Sequence, residues 1–387
     1  MGSRSASRLF VRLTVRMLCG FVFLALFATI LKGQAQRTPG EILKEAATFH
    51  QAGQLEEAIA DYRLFLEKYP DVAPVRSDLG AALAGAGRYE EAIAEYKRSL
   101  HLKSLPQVRL NLALAYYKTT KLSLAVAELK KVREEIPGDL RLVLLEADCD
   151  LRLGENKKVI DLLTPVQQTN GDDLAIVYML GTALVRDGQT EKGQVLIDKI
   201  LKNGDSAEAR LLLGTTRLMV NDFAGALVDL QKAVELNPAL PEVYAYYGTA
   251  LLSTGDQAGA QEAFEHALRD DPNNFDATLR MGMLLRKDER NDEALKYIRH
   301  ALEIRPGDAG VRYQIAALEL SVGQVEAARI HLEALVVEAP NFTEAHVSLA
   351  TAYYREKRKA EGDRERAIVE KLNAEKQANE KGVKVAQ

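Results

Sequence analysis

A small residue returns at steps of 33 or 34 along most of this chain. Ala46, Gly80, Ala113, Ala147, Gly181, Gly214, Gly248, Gly282, Ala316 and Ala350 stand at that position. A fixed period of this length marks an array of short supersecondary units rather than one globular core. With this position numbered slot eight, four other slots keep the same period. Slot twenty is Ala58, Ala92, Ala125, Val159, Gly193, Ala226, Ala260, Ala294 and Ala328. Slot twenty-four is always large and apolar: Tyr62, Tyr96, Leu129, Leu163, Ile197, Leu230, Phe264, Ile298 and Leu332. Slot fifteen is glycine at Gly53, Gly87, Gly154, Gly188, Gly255 and Gly323. Slot thirty-two is proline at Pro70, Pro137, Pro238, Pro272, Pro306 and Pro340.

Each choice has a mechanical reason. The slot-fifteen glycine stops a first helix in a left-handed cap. The proline ends the second helix and sets up the next unit. Small residues at slots eight and twenty let the two helices of a pair approach closely, and the large residue at slot twenty-four fills the space this leaves. Gly248 sits inside a helix, which costs about 1 kcal/mol relative to alanine. A close helix crossing offsets that cost. One such pair cannot bury its own apolar face, so stability must come from neighbouring pairs.

At these residues the chain resembles the tetratricopeptide repeat family. The spacing, Gly or Ala at slot eight, Ala at slot twenty, the large residue at slot twenty-four and Pro at slot thirty-two carry the likeness, which covers roughly Pro39 to Glu361. The family's slot-four aromatic is mostly absent: Val143, Val177, Arg210 and Arg312 stand there. Ser104 replaces one slot-thirty-two proline, and two connections read TNGDD (ending at Asp173) and KNGDS (ending at Ser206). Those two look like an Asn/Gly helix stop followed by an Asp or Ser helix start; a calcium loop fits them poorly. The resemblance implies an all-α fold, a right-handed α-solenoid superhelix of about ten stacked antiparallel helix pairs, with first helices lining the concave face. Units start near residues 39, 73, 106, 140, 174, 207, 241, 275, 309 and 343. The repeats span 39–361, a solvated capping helix 362–380 and a flexible tail 381–387. Gly362, Asp363 and Arg366 break the pattern in the last second helix, which keeps a thin stripe at Ala360, Ala367, Ile368 and Leu372.

The N-terminus has the three parts of a secretory signal peptide. Arg4, Arg8, Arg12 and Arg16 form a basic leader, Met17 to Leu31 is uncharged and apolar, and Gly33 and Ala35 suit a cut after Ala35. The expected mature protein is exported, periplasmic or extracellular, with 1–35 as signal peptide. An uncleaved segment would instead be a short membrane anchor, although its apolar run is short against the ~20 residues a span needs. Cleavage removes four arginines and Lys32 but no acid, taking the formal charge from −4 to −9. That balance argues against a nucleic-acid partner, which calls for a basic face. Cys149 is the lone cysteine of the mature chain and reads as a buried, inert thiol.

The six histidines make no close helical pair and no Cys/His cluster, so no metal site is expected. There is no phosphate-binding glycine loop, no nucleophile elbow and no CxxC. The carboxylates read as solvent faces of second helices. The expectation is a non-enzymatic protein without cofactor.

The place to look is the groove lined by the first helices. Slot thirteen supplies a basic row that includes Lys118, Arg152, Arg186, Lys287 and Arg355. Such a row could hold an acidic or C-terminal carboxylate group of a peptide. The same slot lies in the last helical turn, where cations complement the dipole, and that reading is preferred. Other lining slots supply Leu110, Asn111, Tyr117, Tyr178, Thr182, Thr215 and Tyr246, an apolar groove with polar handles. The family's clamp for chaperone C-termini is not carried over. Asn111 matches its middle Asn, but Ser77 and Ala81 stand where its first Lys and Asn belong. The expected function is an exported scaffold that binds a protein partner's peptide or helix, with membrane contact only through an uncleaved N-terminal segment. The alternatives are an accessory module for polysaccharide export or carbohydrate binding, by analogy, and an RNA-binding helical repeat, which the acidic charge opposes.

Overall fold

The computed structural model describes residues 37–385, apart from Asp172 and Asn203. The expected leader and its cut after Ala35 lie outside these residues, as do two residues of the NG connections. The described residues form twenty α-helices and no strand. The chain divides between Thr119 and Thr120 into two compact units.

The first unit holds α1 (Pro39–Gln51), α2 (Leu55–Lys68), α3 (Ala73–Gly85), α4 (Tyr89–Leu102) and α5 (Pro106–Lys118). The second runs through α6 (Leu122–Glu135), α7 (Leu140–Arg152), α8 (Asn156–Thr169), α9 (Leu174–Arg186), α10 (Thr190–Leu201), α11 (Ala207–Met219) and α12 (Phe223–Leu236). It continues with α13 (Val243–Thr254), α14 (Gln257–Asp270), α15 (Phe275–Lys287), α16 (Asn291–Ile304), α17 (Ala309–Ser321), α18 (Val325–Glu338), α19 (Thr343–Arg355) and α20 (Lys359–Val385). Within each unit, successive helices pack as antiparallel hairpins that stack on their neighbours, as the repeat requires.

Four of the five slot-eight glycines sit under the slot-twenty-four side chain of their own hairpin; Gly181 instead faces Leu212 and Leu196. A Cβ added at Gly248 would lie 2.7 Å from Phe264 Cε1 and 3.1 Å from the Ala260 carbonyl oxygen. Gly80 meets Tyr96, Gly214 meets Leu230 and Gly282 meets Ile298 in the same way. Phe264, Ile298, Leu230 and the slot-twenty alanines Ala226, Ala260 and Ala294 are fully buried, which places them at the centre of the core.

Slot fifteen is left-handed in every unit. All six glycines there have φ between 75° and 96°. The remaining occupants, Thr120, Asn221, Glu289 and Lys357, adopt φ of 57°, 60°, 61° and 62°. The tight turn is therefore a property of the hairpin, and non-glycine residues are held in it against their preference. Helix starts follow capping chemistry: Asp173 accepts from the Ala175 and Ile176 amides, and Ser206 from that of Ala209.

Two details depart from the sequence reading. First, α13 starts at Val243, because Glu242 takes a left-handed conformation at φ 66°. Second, α20 is one helix from Lys359 to Val385, through the range read as cap and into the one read as tail. Its Gly362 is buried and lies under the Tyr354 ring, where a Cβ would come within 2.6 Å, so it serves as the slot-twenty small residue. Arg366, Ala360, Ala367 and Ile368 are exposed, in keeping with a solvated last helix.

Candidate functional site

Arg186, at the end of α9, is tied down on several sides. Its Nε donates to Tyr246 Oη at 3.0 Å, one Nη donates to the Leu151 carbonyl at 3.4 Å, and the other pairs with Glu242. Only 11% of its side chain is exposed. Burial works against the Arg186 charge, but Glu242 and then Tyr246 hold its pKa well above the ordinary value. Burial also raises the Tyr178 and Tyr246 phenols. Tyr178, Thr182 and Thr215 pack against the same cluster, leaving a space of only about 10 Å³. Thr182 and Thr215 return their hydroxyls to the Tyr178 and Leu211 carbonyls.

The structure thus brings together five of the groove residues expected from sequence, as a filled and internally bonded cluster. This corrects the idea of a free basic row. Arg152 pairs with Asp271 at 3.0 Å. Arg186 reaches the Leu151 carbonyl, and Arg355 reaches that of Leu320 at 2.6 Å. Arg186 and Arg355 thus each donate to a carbonyl in the last turn of the preceding first helix, where a cation complements the helix dipole, while Arg152 is held by a carboxylate. Leu110, Asn111, Tyr117 and Lys118 belong to α5 of the first unit; the first three are half-buried and Lys118 is exposed. Asn111 accepts from Gln107 at 3.2 Å.

Beside the cluster, in the second unit, opens a cavity of about 750 Å³. Asp150, Glu155, Lys158, Asp276 and Asp308 line it together with Arg186, Tyr246 and Arg305. Arg305 closes one side: its Nε donates to the Arg152 carbonyl at 2.7 Å, and its guanidinium lies 3.7 Å from the centre of the Phe275 ring. Desolvation lowers its pKa. Asp308 caps α17 by accepting from the Val311 amide at 2.8 Å, and Lys158 pairs with Glu155 at 3.1 Å. Asp150, only 2% exposed, is pushed up to about 6 by desolvation and then by the nearby Glu146.

Sequence reasoning missed Asp150, Asp276 and Arg305. For Asp150, its place between two apolar-reading positions, Cys149 and Leu151, was the available signal. Arg305 precedes a slot-thirty-two proline, and nothing in the periodic pattern marks it. The carboxylates also depart from the solvent-face reading. Asp61, Glu95, Glu146 and Asp229 are buried. Arg76 pairs with Glu95 at 2.6 Å, and both Arg210 and Arg217 reach Asp229 at 2.8 Å. Arg76 and Arg210 occupy slot four, so an ion pair replaces the family's aromatic there. Cys149 is fully buried, and desolvation raises its thiol to about 12. Among the described residues, no group of three His, Cys, Asp or Glu could hold a metal ion, and no helix is long and apolar enough to cross a membrane.

Stacked helical hairpins around a pre-formed polar cavity define a helical-repeat scaffold. One model of the tetratricopeptide repeat matches residues 43–107, 78–139 and 248–309, and a second model of that repeat matches 285–352. Together they cover just over half of the chain, which belongs to the tetratricopeptide repeat family. It is 29% identical over 146 residues to the BBSome complex member BBS4 of Bos taurus, covering 37% of this chain and 28% of that protein. It is 30% identical over 94 residues to the peroxisomal targeting signal receptor of Saccharomyces cerevisiae, covering 24% and 15% respectively. The chain thus matches well under half the length of these curated relatives. A chain of the crystal structure of the APC/C hetero-tetramer Cut9-Hcn1 aligns with a TM-score of 0.58 at 14% identity, over 87% of this chain and 81% of that one. At that identity the likeness is one of fold.

Proposed function

We propose that this chain is an exported, non-enzymatic scaffold that holds an extended segment or a helix of a partner protein, in a cell-envelope assembly. The observation that carries the reading is the cavity of the second unit. Helix ends four repeats apart in sequence meet around about 750 Å³ of open space. Its floor is fixed by the Arg186–Tyr246–Glu242 and Arg305–Arg152 bonds. A rigid, concave, partly polar surface of this size suits one short segment of a partner, bound without the cost of ordering the site. One relative is named as a complex member and another as a targeting-signal receptor, which fits a protein-binding role. The pattern of residues 1–35 supports export.

The test is photo-crosslinking in the native host. A photoreactive residue is placed at the cavity rim, at Glu155 or Gly307, and at Val337, which is 80% exposed, as a control. The reading expects one protein to be captured from the rim and not from Val337. Identical products from all three positions would remove the cavity as the binding site. N-terminal sequencing of the purified protein is expected to begin at Gln36; an intact leader in the cytoplasmic fraction would remove the export claim.

A further inference from the structure

Among the described residues, the Asp150 carboxylate has no hydrogen-bond or ion-pair partner. It lies on α7 with 2% of the residue exposed, and it lines the cavity. No closer contact balances its charge than the longer-range attraction of Lys130 and Lys158. A buried charge in that position is costly unless something pairs with it. The cations already facing the cavity make their close contacts elsewhere. Arg186 is held by Glu242 and Tyr246, Lys158 by Glu155, and Arg305 by the Arg152 carbonyl and the Phe275 ring. Asp276 adds a second carboxylate to the wall. The open space therefore presents acid in excess of available base. A metal ion is not the natural counter-charge, since no three ligating side chains converge among the described residues.

We propose that the cavity receives a lysine or arginine side chain of the partner segment, whose ammonium or guanidinium pairs with the Asp150 carboxylate. This rests on the scaffold reading above and gives that site its chemical preference. The cavity's volume accommodates one long side chain with its flanking backbone. The cation supplies a close partner to a carboxylate that is itself only 2% exposed, so the pair is stronger than one on the open surface. An acidic segment would instead have to seek Arg305 and meet Asp150 and Asp276 with like charge.

Blocked tripeptides with a central lysine, arginine, glutamine or glutamate serve as probes. They are titrated at neutral pH and fixed ionic strength into protein carrying ¹³C-labelled aspartate carboxyls. The lysine and arginine peptides are expected to shift one buried carboxyl signal saturably and to bind about tenfold more tightly than the other two. Asp150→Asn, which keeps the side-chain volume, is expected to lose that signal and that preference while its circular dichroism is unchanged. The preference of the wild-type protein is a test in itself and does not depend on the variant folding. Equal binding of all four peptides, or tightest binding of the glutamate peptide, overturns the proposal, as does an unaltered preference in a folded Asp150→Asn. A partner cross-linked at the rim through a stretch with no lysine or arginine overturns it while leaving the scaffold reading intact. Absence of any rim-specific partner removes the scaffold reading, whatever the peptides show.

Discussion

Arg305 donates from Nε to the main-chain carbonyl of Arg152 at 2.7 Å, joining positions 153 residues apart. A solenoid built from neighbour contacts alone does not need this bond. It links the end of α7 to the turn before α17 and seals one wall of the cavity. Arg305→Met keeps the bulk against Phe275 and removes the donor. The expected loss is about 1–2 kcal/mol of stability, with faster amide exchange in the last turn of α7. Chemical denaturation and hydrogen exchange check this.

Gly248 sits beneath the Phe264 ring, with a would-be Cβ at 2.7 Å. Gly248→Leu is expected to overpack the crossing of α13 and α14 and to cost roughly 1–3 kcal/mol, or more if the Ala260 backbone must move. An unchanged melting curve would contradict the packing described here.

Glu289 and Lys357 hold left-handed turns that glycine fills in six other repeats. Glu289→Gly and Lys357→Gly are each expected to stabilise the protein by about 0.5–1 kcal/mol, because the backbone strain disappears. The gain is limited by glycine's greater freedom in the unfolded chain. Thermal denaturation of each variant measures it, and a lower melting temperature would contradict the strain.

Asp150 titrates at about 6 in the folded protein, against 3.8 for the free side chain. A raised carboxylate means that the folded state favours the protonated form. Its contribution is fully present below about pH 4 and is lost as pH rises through 6, on the order of 2 kcal/mol. Glu146 and Glu155 push the same way after desolvation, while Lys130 and Lys158 oppose them. Asp150→Asn is therefore expected to gain stability relative to the wild type as the pH is raised from 4 to 7.5. Parallel denaturation curves across that range would show that Asp150 has an ordinary pKa.

The fold was legible because the repeat is written in residue size. Slots eight, twenty and twenty-four each occupy one place in a hairpin, and every hairpin meets the same steric demand. The left-handed turns at Thr120, Glu289 and Lys357 were hidden, since it is glycine and, less strongly, an asparagine such as Asn221 that announce that conformation in a sequence. The candidate site was legible in part. Tyr178, Thr182, Arg186, Thr215 and Tyr246 do converge, because first-helix slots share a face. Their saturation was not readable: Glu242 reaches Arg186 only through an irregular turn. Arg305 was invisible as a wall of the cavity, because local periodicity carries no information about contacts four repeats away. The ion pairs of Arg76 and Arg210 were likewise obscured by reading their carboxylate partners as solvent-facing.

The most direct test joins the two sides of the cavity. Glu155→Cys and Gly307→Cys place thiols on its rim, at an exposed side chain and at a glycine with open space around its Cβ position. Cys149, buried with its thiol raised to about 12, does not compete. A short bismaleimide is expected to link the two introduced cysteines within one molecule, detected as a single cross-linked peptide pair by mass spectrometry. Protein modified at both cysteines but never bridged would show that the walls do not meet.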